Sequence, residues 1–195
     1  MRRTMMIAVA SIFEIVRGDA QKPAKPARVV QVCLRDLANT DVVIRYQAQS
    51  LAARLYKGAG VTIDWSCKEV AVTCSLPPIV IELRGNTPET DNPGALARAF
   101  AYEGTHIVVY YDRIQHIGSS LLTPALLGHV LAHELMHVLQ RTDQHSDRGV
   151  MKARWTWQDY AEMLQKPLVF TEENLVALRI SLAQRAPCTD GAGNQ

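Results

Sequence analysis

The run His133-Glu134-Leu135-Met136-His137 lies inside an almost unbroken apolar segment. Leu126, Leu127, Val130, Leu131, Leu135, Val138 and Leu139 cover so much of a helical surface that the segment reads as a buried helix. It runs roughly from Pro124 to Gln140, with Thr123-Pro124 as N-cap and first helical residue. Burying two histidines and a glutamate in such a helix is costly unless something satisfies them. Histidines four apart share one helix face, about a turn apart, so both imidazoles reach one metal ion. Glu134 stands where a carboxylate touches a metal-bound water without being a ligand. A chance match to this spacing in 195 residues is expected on the order of 1% of the time. The plainer alternative is a pair of core histidines bonded to backbone. His129, one turn earlier, has no glutamate after it and reads as a core or supporting histidine.

The pattern H-E-x-x-H is that of zinc hydrolases, which take three protein ligands and leave a fourth position to water. Two side chains soon after the helix offer the third ligand, Asp143 and His145, and Glu162 offers a longer reach.

The chain is one domain's worth and long enough for a core. A formal net charge of +2 gives no sign of a nucleic-acid partner or an anionic membrane surface. Residues 1–20 read as a signal peptide: Arg2-Arg3, a short apolar run from Thr4 to Phe13, and a small residue, Ala20, at the end. A Pro- and Lys-containing linker follows over 21–27. The apolar run is too short to span a membrane, and no other stretch is long enough. Secretion or a periplasmic address is therefore expected. Four cysteines fit it, with Cys67–Cys74 closing a small ring and Cys33 and Cys188 left as the other pair, although three connectivities are open.

Patterning gives strands at 28–34, 61–65, 79–83 and 106–111, and a helix over 41–58 with an apolar stripe of Val42, Val43, Tyr46, Leu51, Ala52 and Leu55. The buried helix follows, then helices over 157–164 and from about 171 to 185, and a disordered tail over 187–195. The fold class is α+β. A small mixed, twisted sheet packs on a long helix and on the histidine-bearing helix, within a domain spanning 28–186.

His133, Glu134 and His137, followed by Asp143 and His145-Ser-Asp-Arg-Gly-Val-Met151, resemble the metzincin metalloproteases. Their extended motif is H-E-x-x-H-x-x-G-x-x-H with a methionine-bearing turn under the metal. Gln140 stands where that family has glycine, and Asp143 stands at its third-histidine position, as in the snapalysins. His145-Ser146 and Val150-Met151 resemble segments of matrixins and archaemetzincins. His145 to Trp155 is similar to an H-S-x-x-G-I-M-R-A-x-W stretch of uncharacterised bacterial exported proteins, with Lys152 in place of the arginine. The order of strands and helices also looks like the upper half of a metzincin domain.

This resemblance implies a zinc endopeptidase. His133, His137 and His145 would be the ligands, with Asp143 as the alternative third or as a hydrogen-bond partner of a ligand histidine. Glu134 would be the general base and Met151 a hydrophobic floor. The tyrosine that some metzincins place two residues past the methionine is Ala153 here. Arg154 and Tyr160 are candidates for the oxyanion, though surface solvation is the plainer role for each. The strand at 106–111 is a candidate edge for a peptide or protein substrate. A non-catalytic zinc module and a zinc amidase acting on a small substrate are the competing readings. An intact Glu134 argues against the former, and a free strand edge would argue against the latter.

Overall fold

The computed structural model describes residues 28–67 and 78–184. The expected signal peptide, linker and tail lie outside the described residues, as do Cys74 and Cys188. The elements in chain order are β1 (Arg28–Asp36), α1 (Val42–Gly58), β2 (Val61–Asp64), β3 (Ile79–Arg84), β4 (Ala97–Ala99), β5 (His106–Tyr110), α2 (Tyr111–Ile117), α3 (Leu122–Gln140), α4 (Trp157–Gln165) and α5 (Glu172–Gln184).

The sheet has the order β2-β1-β3-β5-β4. Pairings are parallel except for β4, which runs antiparallel to β5. The expected strand at 106–111 is therefore interior, with β3 and β4 on its two sides, and the sheet edge on that side, opposite the β2 edge, is β4. Its last residue also differs, because Tyr111 opens the short helix α2. The edge strand is only Ala-Arg-Ala and carries none of the β-branched or aromatic residues that mark a strand in sequence. Phe100 N donates to His106 O and Tyr110 N to Leu96 O. Even-numbered positions of β4 thus face β5, and Ala97 and Ala99 turn their backbone groups outward.

Helix α1 is capped by Asp41, whose carboxylate accepts from the backbone N–H groups of Val43 and Ile44. Its buried face is Ala48, Leu51, Ala52 and Tyr56. The expected stripe is displaced: Val42, Val43 and Tyr46 are exposed in the first turns. Tyr56, which the periodicity did not single out, is fully buried and donates to Ala132 O at 2.9 Å. It fixes α1 to α3 one residue before His133.

Helix α3 is buried along nearly its whole length, as its composition requires. It begins one residue before Thr123, and no side chain caps it from the expected position. Ser119 does this work instead. Its carbonyl accepts from the backbone N–H and the hydroxyl of Thr123, and its hydroxyl accepts from Leu122 N. Gly128 lets α1 and α3 approach closely: a Cβ there would lie 2.8 Å from Leu51 Cδ2 and 3.0 Å from Ala48 O.

One disulfide lies among the described residues, Cys33–Cys67, joining β1 to the chain just after β2. It replaces the expected Cys67–Cys74 ring. Parallel pairing of β1 with β2 carries the chain end back to the level of Cys33, a tertiary juxtaposition that loop length cannot reveal.

Candidate metal centre

Helix α3 places His133 and His137 one turn apart, with their rings nearly perpendicular and centroids 4.7 Å apart. The chain must then reverse. Arg141 takes a left-handed conformation, φ 53° and ψ 47°, and its N–H bonds back to His137 O. The left-handed residue thus comes one position after Gln140. Gln140 stays helical and donates its side-chain amide to Asn174 O at 3.0 Å. The reversal brings Thr142 O within 2.8 Å of His137 Nδ1. Further on, Gly149 adopts φ +74°, and Val150 O comes within 2.8 Å of His133 Nδ1.

Both carbonyls can only accept, so each Nδ1 carries a proton and each Nε2 presents a lone pair. Those two Nε2 atoms lie 3.0 Å apart. With no proton between them this is no hydrogen bond. An imidazolium would supply one, but burial pushes His133 down to about 3 and His137 down to about 4. Like charge on His137 and His145 also lowers His133, and that on His145 lowers His137. Two facing lone pairs repel each other, and a cation between them would relieve that repulsion. Zinc with Zn–N bonds of about 2.0–2.1 Å in a tetrahedron spaces its nitrogens about 3.3–3.4 Å apart. The donor set fits.

His145 completes the cluster. Its ring lies 5.2 Å from that of His133 and 4.7 Å from that of His137, and the three histidines offer ligand atoms all within 4.8 Å of one another. Asp143 is outside that cluster. It is exposed, and its charge raises the proton affinity of His137 and His145. Glu162 is also outside it, 3.4 Å from Lys166 on α4. His129 has both nitrogens satisfied, Nδ1 by Ala125 O at 2.7 Å and Nε2 by Leu168 N at 2.9 Å, and is a core histidine.

Glu134 is buried beside the histidines, and desolvation pushes its carboxyl up to about 8. A backbone hydrogen bond from Ala99 on β4 opposes that shift. Nothing in Ala97-Arg98-Ala99 hints at this contact, which links the carboxyl to the β4 edge. Met151 is buried, and its carbonyl accepts from Ser146 N at 2.8 Å, closing the turn that carries His145. Trp155 lies edge-on to His133 with centroids 5.7 Å apart, and its indole N–H donates to Gly149 O at 3.3 Å. Its place at the end of the His145–Trp155 stretch was the only sequence signal for it.

A cleft of about 390 Å³ is lined by residues 92–97, which reach the start of β4, by Lys152, Ala153, Arg154, Trp155 and Tyr160, and by His133, Glu134 and His145. Arg154 and Tyr160 thus both reach the cleft wall. Among the described residues no helix is long and apolar enough to cross a membrane.

No family model matches the chain, and no curated protein matches it. The fold is similar to that of archaemetzincin from Methanopyrus kandleri, with a TM-score of 0.56 at 14% identity, over 82% of this chain and 99% of that one. The fold is α+β and archaemetzincin-like.

Proposed function

We propose that the chain is a zinc-dependent endopeptidase in which His133, His137 and His145 hold the metal and Glu134 is the general base. The observation that carries this reading is the pair of facing Nε2 lone pairs 3.0 Å apart, with His145 closing a third side. His133 and His145 line the cleft, and three imidazoles rather than four protein ligands match the catalytic rather than the structural kind of zinc site.

His133, His137 and His145 would hold Zn²⁺, and the chemistry it would supply is that of a Lewis acid toward water and a scissile carbonyl. Glu134 accepts the proton of the attacking water on its carboxylate and delivers it to the leaving amine. Burial keeps this carboxyl protonated near neutrality without a metal, and a neighbouring dication favours the ionised form that a base requires. Val150 O and Thr142 O hold the imidazole tautomers that present Nε2. Met151 forms apolar floor. The outward backbone groups of Ala97 and the outward carbonyl of Ala99, whose N–H is taken by Glu134, suit an extended peptide lying along β4, which supports a peptide over a small amide. Glu134, buried at the site, supports catalysis over a purely structural zinc.

The test is zinc content and casein cleavage for wild type and Glu134→Gln. One zinc per chain in both, with cleavage only in wild type, is expected. Zinc in both with no cleavage in either would contradict the peptidase reading.

A further inference from the structure

The cleft holds three charged side chains in its lining: Glu134, Lys152 and Arg154. Glu134 is buried at the histidines. Lys152 is committed, with Nζ 2.6 Å from Asp159 Oδ2. That same oxygen accepts from Thr156 N at 2.6 Å and from Thr156 Oγ1 at 2.7 Å. Trp155 is tied to Gly149 O through its indole N–H. The segment 152–156 is therefore anchored on both sides of Arg154. Arg154 itself is exposed and has no ion pair, hydrogen bond or ring contact among the described residues. A held backbone presents an uncommitted guanidinium to the cleft that also contains His133 and Glu134.

We infer that Arg154 is a specificity residue that binds a carboxylate of the substrate. The inference rests on the peptidase reading of the same site. A guanidinium offers a planar fork of donors that matches a carboxylate bidentately and stays charged at any working pH. A held loop lowers the ordering cost of that contact. With Glu134 occupied at the histidines, the cleft has no second acidic group to compete for Arg154. The carboxylate comes either from an Asp or Glu side chain near the scissile bond or from a free peptide C-terminus.

Quenched peptides differing only as Glu, Gln or Lys beside the scissile bond, each with a free or an amidated C-terminus, test this on zinc-loaded full chain. Wild type, Arg154→Ala, Arg154→Lys and Arg154→Glu are compared at matched zinc content. Wild type is expected to favour the carboxylate-bearing peptide by about fivefold in kcat/KM, the scale of a partly exposed charge pair. The preference fades with salt. It disappears in Arg154→Ala, survives in part in Arg154→Lys, and turns toward the Lys peptide in Arg154→Glu. A Glu-over-Gln difference identifies the side chain, and an acid-over-amide difference identifies the terminus. Binding of the same peptides in a Glu134→Gln background, read by tryptophan fluorescence, must show the same order without chemistry. Equal kcat/KM for all peptides in all four proteins would overturn the role of Arg154 and leave the peptidase standing. Neither cleavage nor binding of any peptide would overturn both.

Discussion

His133 Nδ1 donates to Val150 O, 17 residues further along the chain, at 2.8 Å. This bond couples the metal-facing nitrogen on α3 to the turn at Gly149-Val150. A Cβ on Gly149 would lie 2.3 Å from Val169 O, at a φ of +74° that L side chains resist. Gly149→Ala is therefore expected to displace Val150 O and release the His133 ring. Zinc affinity should fall about 10–100-fold, as when a ligand's hydrogen-bond partner is lost. Stability should drop by about 1–3 kcal/mol from backbone strain. Competition titration with a zinc chelator and thermal melts check both. Unchanged zinc affinity would mean that Val150 does not orient His133.

The metal-free protein should be most stable near neutral pH. Burial lowers His129, His133, His137 and His145, so below the ordinary histidine value of 6.5 the unfolded chain binds protons that the folded one refuses. Stability is lost there as pH falls. Glu134 acts oppositely: its folded value is raised from 4.5 to about 8, so it contributes stability that is lost as pH rises through that window. Four histidines outweigh one carboxyl below 6.5, and Glu134 takes over as the unfolded imidazoles finish losing their protons above it. Urea unfolding of chelated protein across this range should show a maximum. Zinc should remove the alkaline decline by ionising Glu134. A steady rise through pH 8 without metal would contradict the burial of Glu134.

Reducing Cys33–Cys67, or replacing Cys67 by Ser, should lower stability by about 3–4 kcal/mol for a sequence separation of 34 residues. Unfolding with and without reductant measures it. No difference would mean that the bridge closes nothing the fold does not already hold.

Gly128→Val should push α1 from α3 and destabilise by about 1–3 kcal/mol, because the new side chain meets Leu51 and Ala48 O. Denaturant midpoints check this. A neutral result would mean that the two helices slide apart without loss.

What sequence reveals here follows the range of the interaction. The His133–Glu134–His137 constellation is a helix-period pattern set within five residues, and the burial of α3 follows from its composition. The strands rich in Val and Ile were also legible. The edge strand β4 was not, because Ala97-Arg98-Ala99 has no strand character and exists through its pairing with β5. Tyr111 ends β5 by starting α2, and the apolar run through it gave no boundary. The Cys33–Cys67 bridge depends on parallel pairing. His145 could be singled out by resemblance. The bonds that aim the rings come from the carbonyls of Thr142 and Val150, backbone groups with no residue type to read. The left-handed turn fell on Arg141, a residue that advertises nothing of the kind.

The most direct test of the account is the coordination of zinc in the loaded wild-type protein, read by X-ray absorption at the zinc edge or by anomalous diffraction. One zinc per chain is expected, with three imidazole nitrogens at about 2.0–2.1 Å and one light, exchangeable oxygen. His145→Ala should remove one nitrogen, and Asp143→Ala should change nothing in the first shell. A closed site of four protein ligands, or no zinc at the histidines, would contradict it.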